Sequence, residues 1–403
     1  MLRIDRAAIA VFVIALICRG LFFSQVFETS DRMLQPDSRM YIELAQGLNQ
    51  HGTLAFPGNP GIPSADRMPG YSFFLAAVWE IFGEGPLPVV VIQILLDSLS
   101  CVFVVHIAEI LGKGIGPLAG ILASVNVGMI TYSHFLLNDS LFVFLFLLAI
   151  LGTFRFLVGP LWGNAFVLGL LIGLAALVRQ VIVYLPVVLL PFLFFFLHFR
   201  RRVSLTEAAG KTLLIGLIFL SALLPWMCRN YVHFGRLQLT SQSGEHLLQY
   251  VVPFVWQHSR GVPFIQGMEQ ANKAFQARAR EEGLDVDGPD PFLKSDLQVK
   301  MALEFLEGEP KTALLKAWLL GALKNLFSPS IIDLSYLLKI ERPHFFYTEG
   351  KSALDRTLNF LRGMKGWFGW AVLGSLALLG LARVAQGWGA FRLMRGKPWE
   401  GLF

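Results

Sequence analysis

Charged side chains are scarce in this chain. Of its 403 residues only 15% are Asp, Glu, Lys or Arg, whereas 55% are hydrophobic. A water-soluble protein of this size could not bury so much apolar surface, so the composition excludes that class and favours lipid as the surrounding solvent. The net charge of +6 is weak evidence for a nucleic-acid partner. We expect none, because Lys and Arg of membrane proteins collect on the cytoplasmic side.

Cysteine is also rare. The chain contains only Cys18, Cys101 and Cys228, and each lies in an apolar stretch. They show no Cys-x-x-Cys spacing for a metal and offer no disulfide framework. We interpret all three as small buried hydrophobic side chains.

Long apolar runs dominate what is present. A helix needs about 20 mostly apolar residues to cross a bilayer, and the runs predict an all-α polytopic membrane protein with about eight or more spans. The first run lacks a small-x-small cleavage site and is interrupted by Arg19, so it predicts an uncleaved span, not a signal peptide. The candidate spans are 7–27, 88–111, 115–134, 139–158, 162–178, 181–197, 208–228 and 366–386.

Two further apolar segments, 70–82 and 313–327, are too short to cross unaided. The basic cluster 200–202 and the basic residues of the tail after Arg383 should both be cytoplasmic. Eight crossings from a cytoplasmic N-terminus place both basic groups in the cytoplasm. One more crossing before the cluster 200–202 would place that cluster outside. We therefore interpret both short segments as re-entrant or interfacial.

This topology predicts three regions and gathers the polar elements on one face. The regions are a core over 1–228, an outer region over 229–365, and a last span with a cytoplasmic basic tail over 366–403. We expect a cytoplasmic membrane protein whose active site faces the periplasm or exterior. The outer polar elements are the loop 28–87, the Asn138-Asp139 and Arg179-Gln180 junctions, and the region 229–365.

Two carboxylates are candidates for chemistry. Asp37 follows Pro36, and apolar residues then recur at helical spacing, which predicts an amphipathic helix lying on the bilayer. Asp37 either caps this helix or remains ionised at its start and accepts a hydroxyl proton; the two roles are compatible. Asp139 opens a span and is either an N-cap or a second carboxylate that binds a metal or orients a substrate.

Several arginines lie where the positive-inside rule disfavours them. Guanidinium groups match phosphate oxygens in geometry, so we predict that the set binds a lipid-embedded phosphate or pyrophosphate. Snorkelling to headgroups explains any one of them but not the set. Asp97, inside a span, is costly there and should face a cavity or a partner. The arginines are Arg19, Arg67, Arg179, Arg229 and Arg236.

Five motifs, taken in order, carry a family resemblance. They are Pro36-Asp37-Ser38-Arg39-Met40-Tyr41, Arg67-Met68-Pro69-Gly70-Tyr71, Leu136-Leu137-Asn138-Asp139, Gly173 through Arg179, and Leu224-Pro225-Trp226 through Arg236. Their order and spacing resemble the polytopic glycosyltransferases of the GT-C architecture. Within these, the chain is most similar to bacterial relatives of the dolichyl-phosphate-mannose protein mannosyltransferases and of the lipid A aminoarabinose transferase.

The resemblance implies a function and several roles. It implies transfer of a sugar from a polyprenyl-phosphate donor to a hydroxyl acceptor at the outer face, usually with inversion. Asp37 matches the family's catalytic base and Asp139 its second acid, while Tyr41 and Tyr71 lie in the motifs as candidate substrate contacts. Where family members often carry another acid, this chain has Ser38. No cofactor is assigned, and a divalent metal is left open.

Two other classes compete. A transporter or flippase of an amphipathic solute would suit the intramembrane Asp97 and Arg19. It fits less well because the sequence shows no inverted repeat and collects its polar elements on one face. A non-catalytic assembly partner with the same fold is the third class, and the presence of both Asp37 and Asp139 argues against it.

Overall fold

The computed structural model describes residues 6–59, 61–348 and 353–395. Regular structure in these ranges is helical, apart from one isolated bridge between Ala55 and Pro63. The prediction of an all-α polytopic membrane protein is confirmed. The chain packs as two units. The first comprises Met1–Pro63, Met68–Leu239 and Leu393–Phe403, and the second comprises Ser64–Arg67 and Thr240–Arg392.

The first unit contains ten α-helices. A 3₁₀ turn, Phe27–Met33, extends the first of them, and a 3₁₀ turn and a π turn flank the ninth to form the stretch Gln180–Arg200. The helices are α1 (Arg6–Val26), α2 (Pro36–His51), α3 (Gly70–Phe82), α4 (Pro86–Leu111), α5 (Gly116–Ser124), α6 (Val127–Ser133), α7 (Asp139–Val158), α8 (Trp162–Val178), α9 (Leu185–Phe195) and α10 (Leu205–Phe234).

The second unit contains the remaining helices of the described chain. The last of them reaches into the residues assigned to the first unit by three positions. They are α11 (Gln242–Glu245), α12 (Val252–Ser259), α13 (Phe264–Glu281), α14 (Pro291–Glu307), α15 (Lys311–Phe327), α16 (Ile331–Leu338), α17 (Ala353–Gly363) and α18 (Gly366–Arg395).

The described residues contain six helices long and apolar enough to cross a membrane, fewer than the eight predicted. The run 162–178 forms α8, a shorter apolar helix of 17 residues. The run 115–134 was wrongly predicted as one span: it breaks into α5 and α6, because the Asn126 side chain accepts a hydrogen bond from the Met129 amide and starts a new helix. The six are Arg6–Met33, Pro86–Leu111, Asp139–Val158, Gln180–Arg200, Leu205–Phe234 and Gly366–Gly389.

The core of the first unit forms where α8 packs between α7 and α10. Glycines on α8 allow the close approach: a Cβ at Gly169 would lie 2.6 Å from the Ile215 carbonyl oxygen, and one at Gly173 would lie 2.5 Å from the Ala222 methyl. Small residues at such interfaces let helix backbones come together where lipid provides no hydrophobic drive. The position of α8 is therefore fixed by direct contact with α10.

A buried ion pair joins α1 to α4. The Arg19 Nε donates to the Asp97 Oδ2 at 2.5 Å, and the two residues are 0% and 2% exposed. Arg19 Nη1 also donates to the carbonyls of Ala15 and Ser124, each at 3.0 Å, and Nη2 contacts the Cys101 sulfur at 3.5 Å. The partner expected for Asp97 is thus Arg19, and the pair ties α1, α4 and α5 into one bundle.

Removing the Asp97 carboxylate leaves the buried Arg19 guanidinium without a neighbouring negative charge. We expect Asp97→Leu to lower the stability of the purified protein by about 3–5 kcal/mol, the usual cost of breaking one side of a buried pair. Thermal unfolding in detergent measures the change. The double variant Arg19→Met/Asp97→Leu should recover most of the loss, because neither charge then remains. Equal destabilisation in the single and double variants would refute this account.

Candidate functional site

The start of α2 presents Asp37 to solvent. Gln35 is the N-cap, and the Ser38 hydroxyl accepts from the Gln35 amide at 2.9 Å in a capping box, with Pro36 at the first turn. Asp37 therefore does not cap the helix, and that alternative is wrong. Asp37 lies in the first turn as an exposed residue, where the partial positive charge of the helix start favours an ionised carboxylate.

One turn further along α2, Tyr41 packs against Tyr71 at the start of α3. The ring centroids are 5.0 Å apart in an edge-to-face arrangement, and both residues are buried. The Tyr71 hydroxyl donates to the Gln93 Oε1 at 2.7 Å. The Gln93 amide nitrogen in turn donates to the carbonyls of Ser133 at 3.2 Å and Phe135 at 2.7 Å. The two tyrosines are held in place from inside the bundle.

Gln93 was missed in the sequence reasoning. It is 0% exposed and lies in the middle of the long apolar helix α4. The available signal was an uncharged amide inside a predicted span, where a polar side chain is expensive unless it has partners. Its partners lie on distant segments of the chain, so their identity is visible only in the fold.

Asp139 and Arg179 meet at one end of the α7–α8 pair. Arg179 Nη1 donates to the Asp139 Oδ1 at 2.5 Å, and the two side chains are 44% and 25% exposed. The Arg179 guanidinium also lies 5.6 Å from the centroid of the Phe142 ring. Asn138 holds the cap position of α7, and its side-chain amide donates to the Val178 carbonyl at 3.0 Å. Asp139 is therefore not the cap; it is the partner of Arg179.

The start of α3 joins these two groups. A Cβ at Gly70 would lie 2.7 Å from the Leu177 carbonyl oxygen, so α3 begins directly against the end of α8. Burial, and then the nearby Tyr41 and Asp139, raise the pKa of Tyr71 well above its usual range. Tyr71 thus lies within electrostatic reach of Asp139. The start of α3, with Tyr71, therefore lies between Tyr41 of α2 and the helix end that carries Arg179.

Arg229, on the last turns of α10, is already engaged by protein groups. Its Nη1 donates to the Asn230 Oδ1 at 2.8 Å and its Nη2 to the Leu54 carbonyl at 3.2 Å. The guanidinium also lies 4.5 Å from the Trp226 ring and 5.7 Å from the Phe234 ring. Arg229 fastens the first loop to the end of α10.

Arg236 lies half-buried just beyond α10, which ends at the left-handed Gly235, φ 68°. Arg67 belongs to the second unit, in the strip Ser64–Arg67. That strip is fastened by Ser241, whose hydroxyl donates to the Asp66 Oδ1 at 2.7 Å.

Arg19 does not belong to the site. Its side chain is 0% exposed, and its nitrogens are engaged by Asp97, two carbonyls and Cys101. The prediction that Arg19 contacts substrate is wrong, because the charge of Asp97 lies close enough to neutralise it within the bundle.

The donor set does not fit a metal. In the described ranges, no three His, Cys, Asp or Glu side chains come together as possible ligands. The Asp139 carboxylate is engaged by Arg179, and Ser38, where relatives often carry an acid, is used in the capping box. No step is therefore derived through a metal.

Comparison with known proteins adds two findings. No curated protein matches this chain. Among solved structures, the crystal structure of ArnT from Cupriavidus metallidurans bound to undecaprenyl phosphate is similar, with 15% sequence identity and a TM-score of 0.40 over 98% of this chain and 74% of that one.

Residues 66–226 match the family model described as dolichyl-phosphate-mannose-protein mannosyltransferase. The matched segment holds Tyr71, Gln93, Asp139 and Arg179. Over residues 66–226, the match confirms the resemblance to the dolichyl-phosphate-mannose-protein mannosyltransferases that the motifs carry.

Proposed function

We propose that this chain moves a sugar from a polyprenyl-phosphate donor to a hydroxyl group of a glycan, lipid or protein, with inversion, on the outer face of the cytoplasmic membrane. The match of residues 66–226 to the mannosyltransferase family model supports the reaction class. The observation that carries the assignment of residues is the Asp139–Arg179 ion pair at the end of α8, against which α3 begins, with Tyr71 of α3 packed on Tyr41 of α2, the helix that presents the exposed Asp37.

Asp37 is the base in this proposal. As the acceptor oxygen bonds to the anomeric carbon, the bond from that carbon to the phosphate oxygen breaks, and the Asp37 carboxylate takes the hydroxyl proton. The carboxylate is exposed and lies in the first turn of α2. Its location therefore allows an acceptor to reach it and favours its ionised form.

Arg179 stabilises the departing phosphate. Its guanidinium is 44% exposed, and fixed positive groups lower the barrier most where negative charge develops. The Asp139 carboxylate holds one Nη of this guanidinium and leaves the other nitrogens for phosphate oxygens. Asp139 therefore acts through Arg179 as a positioning residue, and Arg236 is the second candidate for phosphate contact.

The outer-face orientation is supported by the distribution of arginines. Arg179 immediately precedes the span Gln180–Arg200, and Arg200 begins the basic cluster at the other end. A 21-residue span separates the two by about 30 Å at 1.5 Å per residue. If the cluster is cytoplasmic, as the positive-inside rule expects, Arg179 and its partners lie at the opposite surface.

Asp37→Asn tests the base. We expect kcat with a labelled polyprenyl-phosphate sugar to fall by about 100-fold or more, because a positioned base contributes about 10²–10⁴-fold, while the thermal midpoint stays unchanged. Glu43→Gln is the matched control, an acid on the same helix whose partner is Arg39. Near-full activity of the Asp37→Asn enzyme would contradict the assignment. A transporter would move donor across vesicles and release no glycosylated product, with or without Asp37.

Arg179→Gln tests the phosphate contact. We expect kcat/KM to fall by about 10²–10³-fold, as when one stabilising donor is lost, with most of the change in kcat. Arg179→Lys should recover only part, since an ammonium lacks the planar fork. Asp139→Asn should lower kcat/KM by a smaller factor, again mainly through kcat.

Arg155→Gln is the matched control for these variants, because Arg155 is an exposed arginine near the other end of α7. If Arg155→Gln lost as much activity as Arg179→Gln, the fall in kcat/KM could not be assigned to the position of Arg179. A rise in KM without a fall in kcat would assign Arg179 to ground-state binding.

A further inference from the structure

In the second unit, helix α15 packs on α12 through small residues. Val255 of α12 is buried against Ala313 and Ala317 of α15. Further along, a Cβ at Gly321 would lie 3.8 Å from the ring of Phe254. This contact leaves no room for large side chains between the helices and fixes which face of α15 meets α12.

Helix α15 is also linked to α17 through an aromatic contact. The Lys324 ammonium lies 5.5 Å from the centroid of the Phe345 ring. The same ring packs edge-to-face on Phe360 at 5.3 Å. Arg356 lies one turn before Phe360 on α17, and residues four apart share a helix face. Arg356 therefore lies on the α17 face that packs against Phe345.

Near these two contacts lie a histidine and two cationic side chains. His258 follows Phe254 by one turn of α12, with its ring edge-to-face on that phenyl group at 4.9 Å. Lys316 precedes the buried Ala317 on α15. Burial, and then the charges of Lys316 and Arg356, lower the pKa of His258. Lys316 of α15 and Arg356 of α17 thus both lie within electrostatic range of His258 of α12.

Two buried donors in this cluster have no protein acceptor. In the described part of the chain, neither the His258 Nε2 nor the Arg356 Nε has a hydrogen-bond partner. Glu309 is bound by Arg260, the residue after α12, at 2.6 Å. Buried polar atoms are nearly always paired, and a phosphate oxygen could accept hydrogen bonds from both nitrogens.

We propose that His258, Lys316 and Arg356 form a binding site for a phosphate group. Lysine offers a point charge and arginine a planar fork, the two means by which proteins hold phosphate oxygens. Beside the cluster, α15 exposes Leu315, Trp318 and Leu319, which would lie along an acyl chain. A phospholipid headgroup and free phosphate share the recognised chemistry, and the experiment separates them.

The test uses the full-length protein in phosphatidylcholine nanodiscs. Binding of inorganic phosphate and of dioctanoyl phosphatidic acid is measured by isothermal titration calorimetry. We expect Lys316→Gln and Arg356→Gln each to weaken binding by about tenfold or more, the usual effect of losing a charge-assisted hydrogen bond. Lys311→Gln, an exposed lysine at the start of the same helix, is the matched control and should bind as the unaltered protein does.

Tighter binding of phosphatidic acid identifies a lipid headgroup as the source, and equal binding of both probes identifies a free phosphate. Absence of saturable binding by either probe, or wild-type binding by both variants, overturns the proposal. Lys316 is exposed, so its replacement by Gln should leave the fold intact. The Asp37→Asn protein should bind both probes normally, which keeps this result independent of the transferase assignment.

Discussion

Polar groups surrounded by hydrocarbon must find their partners within the protein, and the first unit satisfies this condition through three side chains. Arg19 bonds Asp97 and the carbonyl of Ser124. Gln93 bonds Tyr71 and the carbonyls before α7, and Asn138 bonds the end of α8. Each of these bonds crosses from one helix to another. The internal demand for hydrogen bonds therefore also determines where the site residues lie.

The sequence predicted part of this arrangement for a clear physical reason. Apolar runs located the long helices, and the order of the runs put Asp139 at the start of one helix and Arg179 at the end of the next, ends that meet when consecutive helices run antiparallel. The ion pair between them is the result. The division of the chain into regions at 228 and 365 stays a prediction, while the packing units divide after Leu239.

Other features depended on contacts that no local pattern contains. Arg19 is read as a ligand until its partner, 78 residues away, is known. Asn126 ends one helix and begins another inside a run that hydropathy alone reads as continuous. At α2, glutamine is not a favoured N-cap, so only the capping box of Gln35 and Ser38 shows that Asp37 has no capping duty. With Ser38 used in the capping box, Asp37 is the one carboxylate in the first turn of α2.

The close contact between α8 and α10 couples the position of α8 to the location of Arg179. A methyl group at Gly173 would lie only 2.5 Å from that of Ala222, and Arg179 follows at the end of the same helix six residues later. Those six residues span about 9 Å, and the helix between them is stiff. A methyl group added at Gly173 would act as a wedge that tilts the helix about this point and carries the guanidinium away from Asp139. The close packing of this buried interface thereby affects the geometry of the charged groups at the helix end.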